Sequence, residues 1–163
     1  MLRERQKFDR VIVKAITIYQ PWSHAIFHCR PHKDIENRRW PTSYRGWLAI
    51  HASAKKVTKP YYEEFTEFYG GIGGDVSKFP AREELLIRAI LGVARVIDCV
   101  ERHKSPWFRG DYGWVLEDPI SLPKPIVING QMRLRDLPTL ARWQLFEQIG
   151  DRMLAVERRL REV

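Results

Sequence analysis

Apolar and polar positions along the chain change period several times, and each change marks an element. The stretch VIVKAITIY over 11–19 is rich in β-branched residues and predicts a strand. Pro21 then suits a first helical turn, because its missing N–H would have had no intrahelical acceptor there, so PWSHAIFH predicts a short helix. Cys29 to Asn37 contains Pro31 and mixed charges without an apolar period, which reads as a loop. In GWLAIHAS, Leu48, Ile50 and Ala52 alternate with Trp47, Ala49 and His51, the two-residue period of a second strand.

Beyond Pro60, Tyr61, Phe65 and Phe68 share one helical face until the glycines of GGIGGD end the helix. Pro80 opens AREELLIRA, and ILGVARVIDCV reads as a long strand. SPWFRGD predicts a loop, YGWVLE and PIVI two further strands, and Asn129-Gly130 a two-residue hairpin turn into QMRLRDL. From Pro138 onward Leu140, Trp143, Phe146, Ile149, Met153, Val156 and Leu160 recur at a helical period, with Gly150 a candidate kink. About six strands with peripheral helices, and no alternating βαβ units, predict an α+β chain built on a small mixed β-barrel. The expected organisation is a flexible tail over 1–10, one domain over 11–137, and a C-terminal helix over 138–163 that packs on the domain or serves a homodimer.

Composition narrows the class. The chain has 163 residues, 44% apolar and 12% aromatic, enough for one domain with a core. Two cysteines cannot form a disulfide framework, and the opening residues lack the apolar run of a signal peptide, so a cytoplasmic location is expected. No apolar run approaches the roughly 20 residues that span a bilayer, and no membrane partner is expected. Residues 1–56 hold 12 Lys/Arg against 4 Asp/Glu, whereas 57–163 hold 16 of each. The whole formal charge of +8 therefore sits in the first third, a distribution that draws polyanions.

That third also carries the chemistry. Lys33, Glu36 and Arg38 form K-x-x-E-x-R just before Arg39-Trp40, a carboxylate between cations that can face a phosphate or a polarised carbonyl. Arg38, Lys33 and Arg45 are candidates to meet phosphates or base edges. Gln20 and Asn37 could hydrogen-bond a base, and Trp22, Trp107 or Tyr112 could stack on one. Trp47, Trp114 and Trp143 are assigned to packing. His24, His28, Cys29 and His32 are metal-ligand types, but their spacing fits no zinc motif, so no metal and no cofactor are expected. GGIGGD lacks the Lys-Ser/Thr of a phosphate-binding loop, and no serine sits in a nucleophile elbow.

The pieces ITIYQPWSHAI, KDIENRRW, YRGWLAIHAS, GVARVIDCV, GDYGWVLEDP and PISLPKPIVING, in that order over most of 15–138, resemble the ASCH domain of the PUA-like superfamily, small β-barrels associated with RNA. The resemblance implies a PUA-like barrel with a cleft beside the loop carrying Lys33, Glu36 and Arg38. Pro31 stands where the family usually has a glycine. Some similar members are amidohydrolases of acylated cytidine that use a lysine, a threonine and a glutamate; Lys33 matches the lysine, but Glu36 stands at the threonine. Others are ribonucleases. The expectation is thus a domain that binds nucleic acid, RNA rather than DNA, with a base or short single strand in the cleft. The alternatives are a hydrolase in which Lys33 and Glu36 are catalytic, and a basic surface that docks an acidic protein.

Overall fold

A computed structural model describes residues 6–130 and 133–163. Its strands are β1 (Val13–Ile18), β2 (Ile35–Arg38), β3 (Gly46–Ala52), β4 (Ala89–Val100), β5 (Tyr112–Val127) and β6 (Arg135–Asp136). Helices α1 (Trp22–His28), α2 (Lys59–Gly71) and α3 (Thr139–Arg161) accompany them. All six strands join one sheet in the order β2-β5-β4-β3-β1-β6. The chain is therefore mixed α+β as expected, but the sheet is open, with β2 and β6 at its edges; no strand pairing among the described residues closes a barrel.

The alternation in β3 explains how the layers stack. Successive side chains of a strand point to opposite faces. Trp47 and Ala49 join Val13, Val93 and Ile120 in a cluster completed by Leu145, Phe146, Ile149 and Met153 of α3. Leu48 and Ile50 face the other way, with Ile16, Ile18, Val96, Trp114 and Leu116, against Ile26 of α1. Because β3 is covered on both faces, all its residues after Gly46 are buried. A satellite cluster of Ala25, Cys29, Ile35, Phe65, Tyr69 and Trp107 joins α1 to α2 beside β2.

Several expectations are corrected. Residues 35–38 form an edge strand rather than loop, held by antiparallel pairing with β5, Glu36 opposite Trp114 and Arg38 opposite Tyr112. YGWVLE and PIVI belong to one long strand, β5, which follows β4 through three register shifts. The segment after Asn129-Gly130 does not fold back on β5 as a hairpin: β6 crosses to pair with β1, and Lys14 forms an ion pair with Asp136 at 3.0 Å; Gln131 and Met132 lie outside the described residues. Pro80 leads only into a single 3-10 turn at Arg82–Glu84.

Helix α3 runs unbroken through Gly150, whose role is spatial, since a Cβ there would lie 2.5 Å from the Phe8 ring. Phe8, within the expected tail, is buried and stacks on Phe146 at 4.6 Å, and its carbonyl accepts from Arg142 of α3, so the tail is anchored at this residue. The apolar stripe of α3 is also rotated from the one read in sequence: Ala141 and Leu145 are buried, whereas Leu140 is 72% exposed. Polar contacts fix the helix further. Trp47 donates its indole N–H to Glu157 at 2.9 Å, and Asp118 on β5 pairs with both Arg95 and Arg159. Among the described residues no helix is long and apolar enough to cross a membrane.

Candidate nucleic-acid interface

Residues two apart on a strand share a face, so β2 presents Glu36 and Arg38 together. Lys33, just before the strand, folds back over it. Its Nζ donates to the Ile35 carbonyl and lies 3.2 Å from Glu36 Oε2, while an Arg38 NH2 group lies 3.1 Å from Glu36 Oε1. Lys33 is 1% exposed, a burial that a cation tolerates only with partners; it has the carboxylate, the carbonyl and the Trp107 ring at 6.0 Å. Arg38 also donates to the Thr17 carbonyl at 3.0 Å and lies over Trp40 and Trp114. Its buried Nε has no acceptor among the described residues. Two cations share one carboxylate, leaving this cluster with a formal charge of +1.

The cluster is the floor of a cleft of about 1080 Å³ between the end of β1, β2, α2 and the loop at Arg109. Of the residues singled out by sequence, Trp22, Lys33, Glu36, Asn37 and Arg38 line it. Asn37 sits there as a latch: its amide donates to the Trp107 carbonyl at 2.8 Å and accepts from the Arg109 N–H at 2.8 Å, fastening the loop to the edge strand. Trp22 is a half-buried wall, with Phe65 edge-on at 4.9 Å and its indole N–H donating to the Tyr61 hydroxyl at 3.0 Å.

Four candidates lie elsewhere. Gln20 is 1% exposed and its amide is committed, accepting from the His24 N–H and donating to the Leu86 carbonyl, which ties the start of α1 to the chain before β4. Arg45 bonds the carbonyls of Thr42 and Tyr44 and pairs with Asp98, away from the cleft. Trp107 is 1% exposed in the α1–α2 cluster, so it supports Lys33 from beneath and offers no free face. Tyr112 begins β5 and is not among the cleft-lining residues.

Other groups fill these places. Tyr19 and Trp40, 42% and 43% exposed, stand in the cleft wall with Lys55 over the first ring at 5.2 Å and Arg38 over the second at 5.5 Å. Arg109 covers Phe68 at 4.3 Å and Trp22 at 5.8 Å. Tyr61 was legible only as part of a helical stripe; burial raises its hydroxyl above the usual tyrosine range, with the Tyr61–Trp22 bond acting the other way, so it stays protonated near neutral pH. Trp40, like Trp22, is a stacking candidate from its place beside K-x-x-E-x-R, and Tyr19 carried a usable signal of its own, an aromatic next to a strand end within the basic third.

The histidine and cysteine group does not converge: among the described residues no set of three or more His, Cys, Asp or Glu is placed to hold a metal ion. The His24 and His28 rings pack at 4.4 Å, and burial, then His28, lowers His24 to about 4, so it is neutral at pH 7. Burial raises the Cys29 thiol to about 11.

No protein-family model matches the chain. It is 31% identical over 87 residues to Activating signal cointegrator 1 of Homo sapiens, a stretch that makes up 53% of this chain and 14% of that protein. The similarity thus spans far less than two thirds of that relative's length.

Proposed function

We propose that this chain, which resembles the ASCH domain, is a nucleic-acid-binding domain, for RNA in preference to DNA, that receives a base or short single strand in this cleft. One observation carries the reading: aromatic rings and exposed cations line the same open surface. Single strands are held by such combinations, because every base has a π-face to stack and every nucleotide step brings a phosphate. RNA is favoured because its sequence-specific recognition falls mostly on unpaired, splayed bases.

The hydrolase reading has less support. A general base must reach the proton it takes from substrate. Lys33 is 1% exposed, and its Nζ is engaged by the Ile35 carbonyl and the Glu36 carboxylate beneath the cleft. Product formation from RNA or acylated cytidine, abolished by Lys33→Ala in a folded protein, would favour it.

Binding is tested by fluorescence anisotropy with a labelled single-stranded RNA octamer at low salt. The Arg39→Glu/Lys55→Glu protein should bind at least about tenfold more weakly, since two exposed cleft cations become repulsive. No association by the unmodified protein, or equal affinity in the charge-reversed one, would end this proposal.

A further inference from the structure

The charge of the cleft says more about the size of its ligand. Six cationic side chains line it, Lys33, Arg38, Arg39, Lys55, Arg109 and Arg133, against two carboxylates, Glu36 and Glu64, a formal excess of four. Lys33 and Arg38 are held by Glu36. The other four are exposed, and among the described residues none of them pairs with a carboxylate. They come from separate segments: the residue after β2, the turn after β3, the loop before β5 and the approach to β6.

Taking the cleft as the nucleic-acid site proposed above, we infer that its ligand is a single strand that brings three or more phosphates across the cleft, with bases stacked on Tyr19 and Trp40, and not a free nucleoside. A nucleoside carries no formal charge to set against four separate cations, and a mononucleotide brings one phosphate to one place. A strand supplies one charge per step, distributed as the cations are. The two exposed rings fit the same ligand. Tyr19 follows β1 and Trp40 follows β2, so they are independent surfaces, and each already has a cation over one face. Their second faces suit successive or nearby bases, for which stacking is tolerant of sequence.

Salt separates this inference from its parent. Binding to a strand releases counterions, and the slope of log K against log salt is about −0.7 per neutralised phosphate for single strands. A uridine octamer titrated by anisotropy over a range of salt should give a slope of about −2 to −3. Arg39→Ala and Lys55→Ala should each flatten it by about 0.7. Tyr19→Ala and Trp40→Ala should weaken binding by between about 5-fold and 150-fold with the slope unchanged. Uridine and uridine monophosphate should displace the octamer only at concentrations far above those of unlabelled octamer. Octamer binding with a slope shallower than about −1, or displacement by uridine as readily as by octamer, would overturn the strand and leave nucleic-acid binding standing. No octamer binding at low salt would overturn both.

Discussion

Glu36→Gln should destabilise the fold by about 3–5 kcal/mol, because it removes the carboxylate that pairs at once with the buried Lys33 and the partly buried Arg38. For a chain of this size that is a fall in Tm of roughly 6–20 °C, read by circular dichroism on heating. The glutamine keeps the shape and one acceptor oxygen, so the loss reports the charge. Lys33 and Arg38 would remain close together with side chains 1% and 12% exposed and no carboxylate between them. Lys33→Met should cost less, since Glu36 keeps Arg38 at 3.1 Å and the methionine fills similar space. Equal losses in the two variants would mean that the carboxylate is not the organising centre of the cluster.

Trp114→Ala should cost about 3–5 kcal/mol, the range for deleting a large buried aromatic. Trp114 is 0% exposed and lies in the cluster between the sheet and α1. It also backs the cleft: it pairs with Glu36 across β2 and β5, its ring lies 5.9 Å from the Arg38 guanidinium, and its indole N–H donates to the Trp40 carbonyl at 3.3 Å. Trp40→Ala should behave differently, changing thermal stability by no more than about 0.5 kcal/mol, as expected for an exposed side chain whose backbone carbonyl survives the substitution. Stability measured by urea unfolding thus separates the tryptophan that builds the site from the one offered to ligand.

How far the sequence led can be traced through the same residues. Strand β3 was legible because a near-continuous apolar run suits a strand covered on both faces, and the helical period of α3 because a helix repeats its pattern over many turns. β2 was not legible. Its four residues IENR show no apolar alternation, since Glu36 is buried and Arg38 partly buried by ion pairing instead of by hydrophobic contact. β6 joins β1 at the edge of the sheet, with β4 and β3 lying between β1 and β5, a placement to which the Asn-Gly turn signal is blind.

For the cleft, the K-x-x-E-x-R spacing was informative because strand geometry and a short loop suffice to bring its three side chains together. Trp107 and Gln20 misled, since residue type does not reveal whether a ring face or an amide is already occupied. Lys55 and Arg109 reach the same cleft only through tertiary packing of segments far apart in the chain.

The central claim is one of place: a single strand lies in the cleft above Lys33, Glu36 and Arg38. It is tested most directly by photo-crosslinking the unmodified protein to a 4-thiouridine-substituted RNA octamer and mapping the adducts by peptide mass spectrometry. The account predicts adducts concentrated on the peptides containing Tyr19 and Trp40. Adducts confined to the arginine-rich end of α3, with those peptides unmodified, would contradict it.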